Sequence, residues 1–199
     1  MIKNYLLLLF FLFSSFINAQ TINFPDANFK AKLLEANETN NIANLNGKSV
    51  KIDTNENGEI ESSEALKITE LFLANSNIVS LEGVKNFSNL KYLSFNDNKV
   101  SVFDLNGMKI ISLECSRNQI TDIDVSGLPN LISLGCGDNQ LTSLNLSSQN
   151  VNTFLTLNCS GNKLTSLKID QFKNLQGLSC SDNQLTSLNI TTLQSYFNF

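Results

Sequence analysis

The stretch Leu131-Ile-Ser-Leu134-Gly-Cys136-Gly-Asp-Asn139-Gln-Leu141 decides the fold, because its template occurs six times along the chain. Four further copies keep apolar residues at the first, fourth, sixth and eleventh positions, and Asn at the ninth. A degenerate first copy begins at Ile68 and has Ser76 at the ninth position. The six copies begin at residues 68, 90, 110, 131, 154 and 175. The spacing between successive starts is therefore 20 to 23 residues. Such a nearly fixed period is typical of a repeat protein built from stacked coils.

The alternation within each copy predicts a short β-strand. In the copy quoted above, one residue separates Leu134 from Cys136, so both side chains point to the same face of a strand. Asn139 then lets the chain turn, and its amide can bind backbone groups that a buried bend would leave unpaired. Because each coil covers the apolar edge of its neighbour, we predict a repeat solenoid over residues 68–199, with a parallel β-sheet on the concave face. Further apolar rows continue the core and begin at Leu81, Leu105 and Met108.

All four cysteines occupy the sixth position of successive copies, at Cys115, Cys136, Cys159 and Cys180. Four cysteines in an exported chain would ordinarily suggest two disulfides. In-register strands place equivalent side chains roughly 4.8 Å apart, wider than the roughly 3.8 Å between Cβ atoms in a disulfide. We therefore expect small buried thiols, with disulfide pairing as the alternative. The spacing contains no C-x-x-C redox or zinc motif.

Residues 53–64 carry the local chemical motif of the chain. Their sequence, Asp53-Thr-Asn-Glu-Asn-Gly-Glu-Ile-Glu-Ser-Ser-Glu64, matches a twelve-residue EF-hand calcium loop at each diagnostic position. We predict that Ca²⁺ is held by side-chain oxygens and one backbone carbonyl, with the ligands Asp53, Asn55, Asn57, Glu59 and Glu64. Two amides among these ligands predict weak binding, on the order of 0.1 to 1 mM. The alternative is an Asn-Gly turn that binds no metal.

The loop lies within a predicted N-terminal cap, residues 20–67. Residues 25–36 have helical spacing of apolar positions, with Asp26 as the N-cap, and residues 62–68 predict one or two helical turns. Residues 44–49 are a poor candidate for the helix that enters an EF-hand loop, so we expect no complete helix-loop-helix. A single site next to the first repeat favours a structural role for calcium.

Residues 1–19 have the pattern of a secretory signal peptide. Lys3 precedes an apolar run from residue 6 to residue 13, and Ala19 offers a small residue for cleavage. The alternative is a membrane-spanning helix, but the apolar stretch is shorter than the roughly 20 residues that a span requires. We therefore expect a secreted mature chain, extracellular or at the cell surface, without a transmembrane segment.

Composition excludes several classes of function. The 199 residues include 14 Lys+Arg, 18 Asp+Glu and no His, which gives a formal net charge of -4. Without His, neither a Ser-His-Asp triad nor a His-ligated zinc site can form. Arg117 is the only arginine and the lysines are scattered, so no nucleic-acid partner is expected. No motif gathers two carboxylates into a cleft for glycoside hydrolysis. We predict no catalytic residues and no enzyme.

The predicted concave face offers few large side chains, and its positions include Thr69, Phe72, Tyr92 and Glu114. Phe72 and Tyr92 lie on adjacent early coils, and aromatic residues are favoured anchors in interfaces, so both are candidate partner-binding residues. A second row is either a half-covered sheet margin, which we favour, or an apolar stripe for a partner, and it contains Ile111, Ile132 and Leu155. A third row is expected to be solvated charge rather than a calcium array, and it contains Asp97, Asp138 and Asp182.

The L-x-x-L-x-L-x-x-N-x-L pattern, over residues 68 to about 193, resembles that of leucine-rich-repeat proteins. The cap followed by short Asn-containing coils is similar to exported bacterial proteins of the internalin-like kind, and the cysteine-containing repeats look like those of Bacteroidetes. This resemblance implies a non-enzymatic module that binds a protein partner on its concave face, in adhesion or surface contact. The alternative is a carbohydrate-binding accessory protein of the cell surface, which would need exposed aromatic rings for sugar stacking.

Overall fold

The computed structural model describes residues 20–146 and 149–190. The expected signal peptide lies outside these residues. So do Leu193, the last residue of the apolar row that begins at Met108, and Phe197 and Phe199, two aromatic residues that the sequence offers as a cover for the last coil.

One sheet runs along the described chain and confirms the predicted solenoid. Each repeat contributes one three-residue strand, centred on the leucine at the fourth position of the template, and these strands are β3 (Glu70–Phe72), β4 (Tyr92–Ser94), β5 (Ser112–Glu114), β6 (Ser133–Gly135), β7 (Thr156–Asn158) and β8 (Gly177–Ser179). Neighbouring strands are parallel and in register, so equivalent residues of successive repeats stand side by side. The sequence period therefore becomes a set of straight rows across the sheet.

The central leucine of each strand points into one continuous core, together with the apolar rows that follow the strands. Aromatic rings also pack within and against this core. Phe95 meets Phe103 with ring centroids 5.4 Å apart, and Phe154 meets Phe172 at 4.9 Å. Such contacts add to the stability gained by burying apolar surface.

The Asn residues at the ninth template position hydrogen-bond to the backbone of neighbouring coils, as predicted, and together form an Asn ladder. Asn139 donates from Nδ2 to the carbonyl oxygens of Cys115, Cys136 and Gly137 at 3.0–3.1 Å. Its Oδ1 accepts from the backbone N–H of Ile120 at 3.0 Å. Asn98 and Asn162 bind the backbone of their own and the preceding coil in the same way. The ladder thus satisfies buried backbone groups at the turn that follows each strand.

The Asp row has a conformational explanation that the sequence analysis missed. Each coil turns through a residue with positive φ two positions after its inward-facing sixth residue, and this column contains Asn75, Asp97, Arg117, Asp138, Gly161 and Asp182. Asn, Asp and Gly tolerate this left-handed conformation better than most residues. Arg117 occupies its place with its guanidinium paired to Asp97. The recurrence of Asp at this position therefore follows from the turn as well as from solvation.

The N-terminal cap contains two helices, α1 (Ala27–Leu34) and α2 (Ser62–Ala65), and the strands β1 (Ala43–Leu45) and β2 (Lys48–Ser49). A short 3₁₀ helix, Val84–Asn86, follows the first repeat strand. The expected N-cap, Asp26, accepts at Oδ1 from the N–H groups of Asn28 and Phe29, at 2.8 and 3.0 Å. The second oxygen, Oδ2, accepts from Val79 and Ser80 of the first repeat, at 2.6 and 2.9 Å. One carboxylate therefore joins the cap to the solenoid.

Residues 44–49, which lack a helical pattern, form a β-hairpin. Its turn residues, Asn46 and Gly47, both have positive φ, which suits an Asn-Gly hairpin turn. β1 then pairs antiparallel with β3, so the sheet of the described residues has the order β2-β1-β3-β4-β5-β6-β7-β8. The hairpin covers the N-terminal edge of the parallel sheet, an edge that would otherwise expose unpaired backbone groups.

The four cysteines are free thiols, which agrees with the expectation of buried thiols rather than disulfides. Cys115, Cys136 and Cys159 are fully buried, and Cys180 on the last described coil is partly buried. Burial raises the pKa of Cys159 to about 12. Thiols with such pKa values carry almost no thiolate at neutral pH and act as small apolar groups.

Candidate functional site

The cap loop adopts the sharp turn that its sequence predicts. Asp53 follows the buried residue Ile52, and its carboxylate accepts from the N–H groups of Asn57 and Gly58, at 3.2 and 3.0 Å. Gly58 has φ of 77°, a conformation in which glycine is favoured because it carries no Cβ. Ile60 is fully buried and fixes the loop to the core. The backbone of the loop therefore wraps around the Asp53 carboxylate.

Glu64 lies in α2 and closes the other end of the loop. Its Oε1 accepts from the N–H and the hydroxyl of Thr54, at 2.7 and 2.8 Å, and its Oε2 accepts from the N–H of Glu61 at 3.1 Å. Burial acts to raise the pKa of Glu64, but the hydrogen bonds from Glu61 and Thr54 outweigh it, so the pKa is lowered. Glu64 therefore binds both ends of the loop as a carboxylate.

Glu61 is the loop residue that the predicted ligand set missed. Only 4% of its surface is exposed, and its carboxylate accepts from Nδ2 of Asn55 and of Asn57, at 3.2 and 2.7 Å. Two of the five predicted ligands are thus turned toward Glu61. The signal was available, because Glu61 stands at the ninth position of the loop, a position that contributes to calcium binding in EF-hands.

The loop brings oxygen donors together, but the lysines beside it form ion pairs with other carboxylates. Asp53, Glu61 and Glu64 are all buried, whereas the two lysines at the rim pair with other carboxylates. Lys30 pairs with Glu59 at 2.7 Å, and Lys51 with Glu56 at 2.8 Å. Among residues 20–146 and 149–190, no three carboxylate or thiol groups already stand in a metal-binding cluster. The donor set of carboxylates, amides and carbonyls nevertheless fits a hard cation such as calcium.

The concave face carries two rows of side chains, one from each outward position of the strands. The first row contains Glu70, Tyr92, Ser112, Ser133, Thr156 and Gly177. The second row contains Phe72, Ser94, Glu114, Gly135, Asn158 and Ser179. The predicted contact residues Phe72 and Tyr92 therefore lie in different rows of adjacent strands. Tyr92 is 43% exposed, whereas Phe72 is partly buried and less exposed, so Tyr92 is the stronger candidate.

Thr69 corrects one expectation about this face. The sequence pattern placed it on the exposed concave side, but the structure buries it beneath the cap hairpin. Its hydroxyl donates to the carbonyl of Asn44 at 3.2 Å and accepts from the N–H of Asn46 at 2.7 Å. The hairpin was not predicted, so its cover over Thr69 could not be foreseen.

The row of Ile111, Ile132 and Leu155 is half-buried along the margin of the sheet. The backbone ladder continues through it, because Ile132 donates to Ile111 and Leu155 donates to Ile132, both at 2.8 Å. These side chains therefore have the environment expected of a half-covered sheet margin.

A shallow hollow of about 330 Å³ lies on the concave face between β5 and β8. It is lined by Glu114, Ser133, Thr156, Asn158, Gly177 and Ser179, together with three core leucines. The Glu114 side chain extends across Gly135, where an added Cβ would clash with Glu114 Oε2. Burial raises the pKa of the Glu114 carboxyl. The hollow therefore combines one partly desolvated carboxylate with small polar groups.

Solved structures that resemble this chain include bacterial leucine-rich-repeat proteins. The functional domain of InlJ from Listeria monocytogenes has 28% sequence identity and a TM-score of 0.70, and the match covers 87% of this chain and 36% of that one. The leucine-rich-repeat protein LIC12759 of Leptospira interrogans has 28% identity and a TM-score of 0.61, covering 68% and 38%. The fold is a leucine-rich-repeat solenoid. The internalin InlF of Listeria monocytogenes, at 23% identity, TM-score 0.62 and coverage of 85% and 48%, agrees with this fold.

The match spans less than half of each of these three proteins. No protein-family model matches the sequence, and no curated protein sequence matches it. The InlJ structure is described as including a cysteine ladder, and this chain also places its four cysteines at one repeat position. Across the described ranges, no helix has the length and apolar character needed to cross a membrane.

Proposed function

We propose that this chain is a secreted, non-enzymatic binding protein that takes a protein partner on its concave face, in adhesion or another surface contact. The observation that supports this most is the open sheet face. Its two rows consist mainly of short polar side chains, which leave room for a partner, and Tyr92 stands exposed at one end. Exposed tyrosines are frequent anchors of interfaces because a large rigid ring loses little conformational entropy on binding. The fold likeness is in keeping with such a role but does not choose a partner.

Site-specific photo-crosslinking tests the proposal. A photoreactive residue replaces Ser112 on the concave face of the mature chain, residues 20–199, and a second variant carries it at Thr121, an exposed residue outside the sheet. The proposal predicts that a partner from the extracellular medium or a cell surface crosslinks at position 112 and not at position 121. Equal crosslinking at both positions would contradict it.

A matched pair of truncations then tests the contact residue. Tyr92→Ala is expected to weaken binding of the captured partner by about tenfold or more, the usual effect of removing an interface anchor. Val102→Ala removes an apolar side chain that is more exposed, at 75%, and lies away from the strands, and it is expected to leave the affinity unchanged.

Carbohydrate binding is the second candidate. The hollow favours it to the extent that hydroxyl and amide groups line it, with Thr156 Oγ1 donating to Ser133 Oγ at 2.6 Å. Among the described concave residues, however, Tyr92 is the one large exposed aromatic ring available for sugar stacking. A glycan-array signal that Tyr92→Ala abolishes would favour this candidate, and protein capture without any glycan signal would favour the first.

We also propose that calcium stabilises the N-terminal cap. Asp53, Glu61 and Glu64 would supply carboxylates, Asn55 and Asn57 amide oxygens, and Glu59 its carbonyl, since the Glu59 side chain pairs with Lys30. A bound cation would supply positive charge next to three buried carboxylates. The chain's own residues hold the loop in place, through Ile60 in the core and Glu64 within α2.

A further inference from the structure

Glu114 stands out on the concave face because its carboxylate is partly desolvated and no hydrogen bond from the described residues stabilises it. It occupies the centre of the second row, between Ser94 of β4 and Gly135 of β6. Within the described ranges, no donor forms a hydrogen bond or ion pair with this carboxylate. The only arginine, Arg117, lies three residues further on, but its guanidinium is held by Asp97. Desolvation alone acts on the Glu114 carboxyl and raises its pKa.

Other carboxylates of the chain show what a satisfied group looks like. Glu70, in the first concave row, accepts from Asn44 Nδ2 at 3.0 Å, and Glu64 in the cap accepts three hydrogen bonds. Glu114 is partly withdrawn from water, but no such hydrogen bond from the described residues offsets its lost hydration. A partly desolvated charge without a partner is a position where an incoming opposite charge gains most, since the desolvation cost of the carboxylate is already met by the fold.

The shape around Glu114 also suits an incoming side chain. Gly135 provides the space in which the carboxylate lies, and Gly177 leaves the floor of the hollow open further along the sheet. Thr156, Asn158 and Ser179 add hydroxyl and amide oxygens that can accept hydrogen bonds. A guanidinium group has five N–H donors in a planar fork, and it pairs with a carboxylate through two parallel hydrogen bonds. An arginine side chain therefore matches the hollow in charge and in donors.

We propose that the hollow at Glu114 receives an arginine side chain of the protein partner, so that Glu114 determines a preference for basic segments. This proposal rests on the proposed function, because it names the chemistry of the partner that the concave face would bind. It assigns Tyr92 and Glu114 separate parts of one surface, the first an apolar anchor and the second a charge-specific contact.

The test uses the mature chain labelled with ¹⁵N and a capped peptide, acetyl-Gly-Ser-Arg-Ser-Gly-amide, as the probe. Titration is expected to shift the amide signals of Gly135 and Asn158. The peptide with citrulline in place of arginine keeps the shape but removes the charge, and it is expected to bind at least about tenfold more weakly, the usual effect of losing a charge-assisted hydrogen-bond pair. Equal shifts from both peptides, or no shift near Gly135, would overturn the proposal.

Three variants show whether Glu114 carries the effect. Glu114→Gln is expected to lose the preference for arginine over citrulline, while Glu82→Gln, the same charge change at an exposed residue outside the concave rows, retains it. Gly135→Ala keeps the charge but places a Cβ against the carboxylate, so it is expected to weaken arginine binding by displacing Glu114. An unchanged melting temperature checks that each variant folds.

The outcomes separate this proposal from the proposed function. If a partner is captured through Ser112 and Tyr92 but Glu114→Gln binds it equally well, the arginine proposal fails and concave-face binding stands. If the arginine peptide binds at Glu114 and no partner crosslinks at position 112, the hollow has the proposed chemistry and the proposed function fails.

Discussion

The N-terminal cap and the concave face both carry carboxylates withdrawn from water, and they treat them in opposite ways. In the cap, Asp26 accepts four backbone N–H bonds and Glu64 accepts three hydrogen bonds. On the concave face, Glu114 receives none from the described residues. Hydrogen bonds that stabilise the charged form lower a carboxyl pKa, and burial without them raises it. The pKa of Asp26 is therefore lowered, whereas that of Glu114 is raised. The difference indicates that the cap carboxylates stabilise the fold, and it agrees with the proposal that Glu114 on the concave face contacts a ligand.

The largest effect is expected from Asp26→Ala. This variant removes the N-cap of α1 and leaves the N–H groups of Val79 and Ser80 without their acceptor, so we expect a loss of about 3 kcal/mol in the free energy of unfolding. Chemical denaturation measures it. Glu82→Ala, at an exposed residue, is the control and is expected to change stability by no more than about 0.5 kcal/mol. A loss of that small size for Asp26→Ala would mean that the cap carboxylates do not hold the fold.

Lowering the pH tests the same contribution of Asp26 to stability. Burial acts to raise the pKa of Asp26, but four backbone hydrogen bonds outweigh it and leave the pKa below its ordinary value. Its contribution is therefore fully present above the ordinary pKa of an aspartate and is lost as the pH falls through the lowered value. The stability difference between wild type and Asp26→Ala is expected to shrink only under strongly acid conditions.

The next effect in size is that of calcium on the cap. For a dissociation constant on the order of 0.1 to 1 mM, 2 mM calcium is expected to add about 1 kcal/mol of stability, which raises the melting temperature by roughly 2 to 4 °C relative to a chelator. Asp53→Asn is expected to abolish this response. Glu56→Gln lies in the same loop but outside the proposed ligands, and it is expected to keep the response. A wild type indifferent to calcium would make the loop a turn without a metal.

The smallest effect, and one of opposite sign, is expected from Glu114→Gln. Replacing an uncompensated carboxylate with a neutral group of the same shape is expected to leave the chain equally stable or to stabilise it by up to ~0.5 kcal/mol near neutral pH. Since the pKa of Glu114 is raised, this gain is complete above that pKa and disappears as the pH falls through it towards the ordinary value. Destabilisation by more than 1 kcal/mol would show that Glu114 has a structural partner, and the contrast with Asp26 would be lost.

The repeat pattern predicted the solenoid, the inward leucines and the Asn ladder because each position recurs in the same environment on every coil. Asp26 was also predicted, since an N-cap is a local signal. The hairpin at residues 44–49 was missed, because its pairing with β3 depends on contacts distant in sequence. Glu61 was left out of the loop ligands, although its position pointed to it. Glu114 was seen only as a concave-face position, since the space above Gly135 exists only when two coils stack.

The most direct test of the central claim is hydrogen–deuterium exchange of residues 20–199, alone and bound to the partner captured by crosslinking. The account predicts slower exchange in and beside β4 to β7, including the backbone around Gly135, with no change in the cap loop at residues 53–64. Protection confined to the cap loop, or spread over the outer turns and absent from these strands, would contradict the division between a cap that stabilises the fold and a concave face that binds.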